Sequence, residues 1–237
     1  MIEGGKRLAR VKKALEKRIG AGVSAHDIEV LADELILKEG GKPSFKMVPG
    51  YSWATCVNVN DELVHGIPTE EVIFRKGDVV SVDVGMYYKG FHTDTSFTLG
   101  IKPSASVRRF LEVGKEALNK AVSEARVGRR VWDISRAIEE VIKAAGFSPI
   151  RALVGHGVGR ELHEDPQIPC FLPGKVEESA RIEPGMVFAI EIMYAAGTPE
   201  VEKAPDGWTI RMRDGKISGL FEETVAVSAR EPQILTQ

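Results

Sequence analysis

The sequence predicts an α+β fold, in which two pairs of helices alternate with two groups of strands. Three observations carry this. Residues 6–19 and 25–39 show the apolar spacing of helices, residues 104–125 and 131–145 repeat that pattern, and the segments after each pair alternate with the two-residue period of strands. With 237 residues, 43% of them hydrophobic, and no internal repeat or linker-like stretch, the chain is expected to form a single domain spanning residues 1–237.

The elements follow in order. Ser24-Ala25-His26-Asp27 has the form of a capping box and opens the second helix. A Gly/Pro-bearing connection runs from Gly40 to Tyr51, followed by short strands at 54–59 and 62–65 joined at Asn60-Asp61. A longer hairpin spans Val79 to Leu99. Val127-Gly128-Arg129 separates the third and fourth helices, and Gly146 and Pro149 stop the fourth. Strands return at 151–155, 186–195, 208–213 and 219–227.

Charge and composition narrow the function. Thirty-two basic and 34 acidic side chains give a net charge of −2, which is no footprint for nucleic acid. No apolar run approaches the roughly 20 residues that span a bilayer, and the N-terminus lacks the form of a signal peptide. Two isolated cysteines, Cys56 and Cys170, indicate neither a disulfide framework nor a zinc ribbon and suit a reducing, cytoplasmic setting. Lys6, Arg7, Arg10, Lys12, Lys13, Lys17 and Arg18 make the first helix basic. This is read as a solvated face, with ribosome contact as the alternative.

The hairpin carries the first chemistry. If Lys89-Gly90 forms a two-residue turn, Gly85 pairs with Asp94 and Asp83 with Ser96, so both carboxylates share one face while Val82, Val84 and Phe97 take the other. Two carboxylates at diagonal spacing, roughly 7 Å between backbone positions, call for a cation between them or for protonation of one. Downstream, Gly155-His156-Gly157-Val158-Gly159 sets a histidine amid glycines that allow close backbone approach, and His163 follows seven residues later. Glu191 is the one charge in the apolar run 186–194 and needs a counter-ion, either a metal or an arginine. In the last strand Glu222 and Glu223 point to opposite faces, and alternation leaves open which of them turns inward.

Asp83, Asp94, His156, Glu191 and one C-terminal glutamate form an ordered set that resembles the methionine aminopeptidases of the pita-bread fold, in particular the short type I enzymes of metallopeptidase family M24. The likeness runs from about Lys12 to the C-terminus. It includes Val-Asn-Asp-Glu-Leu-Val-His-Gly-Ile-Pro ending at Pro68, Gly-Phe-His-Thr-Asp-Thr at 90–95, Gly-His-Gly-Val-Gly-Arg at 155–160 and Asp-Gly-Trp-Thr at 206–209.

The resemblance implies a curved antiparallel sheet backed by two helix pairs in pseudo-twofold halves. It implies Glu222 rather than Glu223 as the ligand, with Asp83 holding one divalent ion, His156 and Glu191 the other, and Asp94 and Glu222 bridging them. Cobalt, manganese, iron, zinc or magnesium would suit such a site. It further implies that Glu191 moves the water's proton, that His163 stabilises the developing oxyanion, and that His65 contacts the peptide near the scissile nitrogen. Tyr51, Cys56 and Trp208 would line a methionine pocket. The expected activity is removal of the initiator methionine from nascent chains by a monomer.

Some positions depart from the family pattern. Ile192 stands where proline is usual, Val48-Pro49 replaces a Tyr-His pair, Leu162 stands where an aromatic residue is common, and Glu223 replaces a histidine. The alternatives are an Xaa-Pro peptidase of the same fold, which would share all five ligands, and a non-catalytic peptide-binding module.

Overall fold

Lys89 and Gly90 both have positive φ, 48° and 90°, which is the backbone of a tight hairpin turn matched to strand twist. From this turn the predicted register follows, with Tyr88 opposite Phe91, Gly85 opposite Asp94 and Asp83 opposite Ser96. The surrounding architecture is seen in a computed structural model that describes all 237 residues, Met1–Gln237.

In chain order, α1 (Ile2–Arg18) and α2 (Ala25–Lys38) are followed by β1 (Lys42–Pro43), β2 (Thr55–Val59), β3 (Glu62–Val64), β4 (Val79–Tyr88) and β5 (Phe91–Gly100). Then come α3 (Ala105–Glu124) and α4 (Val131–Ala144). The remaining strands are β6 (Ser148–Pro149), β7 (Val154–Gly157), β8 (Glu164–Pro169), β9 (Val187–Ala195), β10 (Val201–Lys203), β11 (Ile210–Met212), β12 (Ser218–Ala226) and β13 (Gln233–Ile234).

The main sheet runs β1-β4-β5-β12-β9-β7-β8. β2 also pairs with β4, β6 with β9 and β13 with β12, while β10, β11 and β3 form a small separate sheet. Every pairing is antiparallel. Helix α1 packs on β4 and β5, and α3 packs on β9 and β12. Each helix pair therefore covers one half of the sheet, and the buried apolar residues fall into two large clusters, one per half. This matches the two-halves order predicted from the sequence. Val82, Val84 and Phe97 lie in the first cluster, on the face assigned to them.

The structure shifts several boundaries. Helix α1 begins at Ile2 rather than residue 6, because Gly4 and Gly5 are buried against the chain; a side chain on Gly5 would meet the Leu235 carbonyl at 2.4 Å. The helix thus runs through a glycine pair that propensity alone disfavours. The strand expected at 151–155 lies at Val154–Gly157, where β8 and β9 flank it. Strands β1, β6, β8, β10 and β13 were not predicted, and all but β8 are two or three residues long. The capping box at Ser24 and Asp27 is present as expected, with both reciprocal hydrogen bonds at 3.0 Å.

Candidate metal centre

Register alone assembles the centre. Cys56 on β2 pairs with Asp83 on β4, Asp83 with Ser96 on β5, Ser96 with Glu222 on β12, and Glu222 with Glu191 on β9. Directly paired residues point to the same face of a sheet, so one row across five strands carries Cys56, Asp83, Ser96, Glu222 and Glu191. Asp94 is two residues from Ser96 and joins that face. His156 pairs with Ala189, two residues from Glu191, and joins it as well. Glycines clear the space. At Gly85 a Cβ would meet Ser44 at 2.8 Å and Asp94 Oδ1 at 3.2 Å, and at Gly155 it would meet the Ala189 carbonyl at 2.7 Å.

Asp94, His156 and Glu222 are buried, and each offers a ligand atom within 4.8 Å of the others. His156 Nε2 lies 3.4 Å from Glu191 Oε1, and no arginine or lysine pairs with Glu191. The arginine alternative for its counter-ion is therefore absent. The His156 Nδ1 nitrogen sits 2.8 Å from the Gly157 carbonyl. A proton on Nδ1 satisfies that contact and leaves the Nε2 lone pair facing the carboxylates.

Electrostatics separate this cluster from an ordinary polar patch. Burial, reinforced by the neighbouring carboxylates, pushes Asp83, Glu191 and Glu222 well above the usual carboxylate range, and burial pushes Asp94 up to about 7. Burial likewise lowers His156 to about 4. Four carboxyl groups in one dry space cannot all ionise without added positive charge. Asp83 Oδ1 and Glu222 Oε1 are fully buried with no hydrogen-bond partner, which in a native protein calls for an explanation such as an ion. Oxygen-rich donors with one imidazole and no thiolate ligand fit hard or borderline divalent cations. The residues present fit such a metal.

Above this floor is a cavity of about 210 Å³. It is lined by the five ligand-type residues together with His65, His163, Tyr51, Cys56 and Trp208, so all ten residues singled out from the sequence meet in one place. His65 has a left-handed φ of 59°. The next residue must be glycine, because a Cβ on Gly66 would lie 2.2 Å from the Val57 carbonyl. The His163 ring packs edge-on against His156, with centroids 4.4 Å apart. Tyr51 packs edge-on against Trp208 and Trp53, 5.1 and 5.2 Å away, and its hydroxyl donates to the Thr55 carbonyl at 2.9 Å. Asp206 holds the loop that presents Trp208 by accepting from the Trp208 and Thr209 amides at 2.8 and 2.9 Å. Burial raises the Cys56 thiol far above its usual range, which is the opposite of nucleophile activation.

Phe45 and Val64 also line the cavity and were not singled out. Phe45 sits in a single helical turn within the connection read as loop, and its one sequence signal was Gly85, whose missing side chain makes room for the Phe45 ring. His92 was likewise passed over. Its ring contacts Ser44 Oγ at 2.9 Å, and its amide donates to the Gly159 carbonyl at 2.7 Å, tying β5 to the loop between His156 and His163. Glu223 points to the opposite face from Glu222 and pairs with Lys12 of α1. That settles which glutamate shares the face of Asp83 and Asp94.

A family model described as metallopeptidase family M24 matches residues 1–229. Methionine aminopeptidase 1 of Bacillus subtilis (strain 168) is 41% identical over 238 residues, covering 100% of this chain and 95% of that protein. The crystal structure of methionine aminopeptidase from Thermotoga maritima superposes with a TM-score of 0.97 at 40% identity, covering 100% of this chain and 95% of that one. Prolidase from Pyrococcus furiosus superposes with a TM-score of 0.79 at 23% identity, covering 100% of this chain but 62% of that one, a likeness of fold alone.

Proposed function

Since the chain belongs to metallopeptidase family M24 and has its pita-bread fold, we propose that it is an aminopeptidase that removes the N-terminal methionine from new proteins. The observation that carries this reading is the convergence of Asp83, Asp94, His156, Glu191 and Glu222 on the floor of an aromatic-walled cavity. Relatives that this chain covers to 94–95% of their own length are named methionine aminopeptidases, whereas it covers 62% of the prolidase.

Asp83 would hold one divalent ion, His156 and Glu191 a second, and Asp94 and Glu222 would contact both. Manganese, iron, cobalt, zinc and magnesium all suit this donor set. When bound, paired ions supply Lewis acidity that acidifies the attacking water and polarises the substrate carbonyl. Glu191 accepts the water's proton and passes it toward the leaving amine. His163, beside His156, donates to the oxygen on which negative charge develops. His65, on its strained turn, meets the peptide near the scissile nitrogen. The substrate's α-ammonium sits against the carboxylates, which confines cleavage to the first residue. Tyr51, Cys56 and Trp208, with Phe45 and Leu162, form a pocket whose apolar walls suit a flexible thioether.

The enzyme would act as a cytoplasmic monomer; no helix is long and apolar enough to cross a membrane. In α1, Arg7 and Arg10 pair with Glu39, Arg18 lies 3.7 Å from Asp27, and Lys12 is buried. Lys6, Lys13 and Lys17 stay exposed without an ion-pair partner, so the face is read as a solvated one, with ribosome contact as the alternative.

The deciding test is turnover of Met-Ala-Ser against Ala-Pro-Ala by metal-reconstituted protein. Release of methionine with little cleavage of the proline peptide is expected. Faster cleavage of Ala-Pro-Ala would move the assignment to an Xaa-Pro peptidase, and peptide binding without release would move it to a non-catalytic module.

A further inference from the structure

The two halves of the sheet meet along β5 and β12, and this seam is short. Only Ser96 with Glu222 and Thr95 with Glu223 pair across it, whereas β4–β5 and β9–β12 pair along most of their length. The seam also separates Asp94 and Glu222, the two carboxylates assigned to contact both ions, one from each half. A backbone ladder of two rungs leaves their separation under-determined, so side chains must hold it.

On the cavity side, the Thr224 hydroxyl donates to the Asp94 carbonyl at 2.7 Å and accepts from the Asp94 amide at 2.8 Å, substituting for the missing rung. On the helix side, the Lys12 ammonium donates to Glu223 Oε1 at 2.6 Å and to Thr95 Oγ1 at 2.9 Å. The Thr95 hydroxyl donates to the Glu222 carbonyl at 2.8 Å. The Thr236 hydroxyl donates to Glu223 Oε2 and accepts from the Thr224 amide at 3.0 Å. Lys12 and Glu223 are both buried. Buried charges of this kind are seldom left in a core unless paired, and here Lys12 joins Thr95 and Glu223, the residues that directly follow Asp94 and Glu222.

We propose that Lys12 and Glu223 are positioning residues: a buried clasp from α1 that sets the spacing of Asp94 and Glu222 across the seam between the two halves. The clasp acts on the ligands through backbone and hydroxyl contacts, without touching substrate. The inference rests on the metal-centre reading above, and its test does not require peptide turnover.

The test is titration of the metal-free full-length protein with Co²⁺, followed by calorimetry and visible absorption, in Lys12→Met, Glu223→Gln and the double variant. The double variant leaves no unpaired buried charge and remains informative if a single variant does not fold. Arg10→Met, which removes another α1 ion pair remote from the seam, is the control. Loss of affinity of about 10- to 100-fold, the range found when groups behind a metal ligand are removed, is expected in the Lys12 and Glu223 variants. An altered Co²⁺ spectrum is expected with it, while Arg10→Met matches the unaltered protein. If the double variant binds Co²⁺ with unaltered affinity and spectrum, even at a lowered melting temperature, the pair is only a packing element and the proposal is overturned. Failure of the aminopeptidase reading would show separately, as absence of methionine release by the unaltered protein.

Discussion

Glu191 and Glu222 stand directly opposite one another on β9 and β12, a placement that sheets disfavour for like charges. Burial raises both well above the usual carboxylate range, and Asp94 beside them reaches about 7. In metal-free protein the native state therefore holds protons that the unfolded chain releases near pH 4. Stability from these carboxylates is full at low pH and is lost as pH rises through about 7, while His156, lowered to about 4, acts in the opposite sense below its usual 6.5. Melting temperature after chelation should fall between pH 5 and pH 8, and saturating Mn²⁺ should raise it and flatten the slope, since a ligand bound only to the native state stabilises it. A flat profile in chelated protein would contradict the shared-proton picture.

The same relationship predicts opposite effects on stability and activity. Glu222→Gln removes one of four crowded carboxylates, so the metal-free variant should gain about 1 kcal/mol at pH 8, within the usual range for relieving an unfavourable buried charge. Activity should be lost, as in Asp94→Ala, because a carboxylate proposed to hold the metal is gone. Urea unfolding of chelated protein and metal analysis read the two effects separately.

His163 packs on His156 but belongs to the loop, not to the strand-borne cluster of Asp83, Asp94, His156, Glu191 and Glu222. His163→Ala should keep metal content and lower kcat by roughly 100-fold, the scale of one lost oxyanion donor, with KM little changed. Loss of metal on substitution would instead make it a ligand.

Gly66 has no room for a methyl group against the Val57 carbonyl. Gly66→Ala should cost about 2 kcal/mol or more, as for other overpacked positions, and should misdirect His65, so that residual folded protein shows a raised KM. Circular dichroism melts and steady-state kinetics would check both parts.

Asp206 accepts two amide hydrogen bonds that shape the Trp208 loop. Asp206→Ala should cost about 1 kcal/mol, typical of a lost cap, and should weaken methionine peptides more than it slows them. Fluorescence of the loop tryptophan together with kcat and KM would register the change; an unchanged KM would remove Trp208 from the pocket.

Local rules in the sequence determined a good deal. The capping box at Ser24, the register of Asp83 and Asp94, and the four long helices follow from turn chemistry and periodicity, which act between near neighbours. Donor types were legible too, because a charge such as Glu191 inside an apolar strand has few physical explanations. The tertiary structure decided what periodicity cannot. β12 is covered on both faces, so Glu222 and Glu223 are both buried, and only pairing with β5 and β9 shows that Glu222 faces Asp83 and Asp94 while Glu223 meets Lys12. Phe45 entered the cavity from a single helical turn, too short for any period to mark direction. The short strands exist because neighbours supply their hydrogen bonds, a cause that lies outside their own residues.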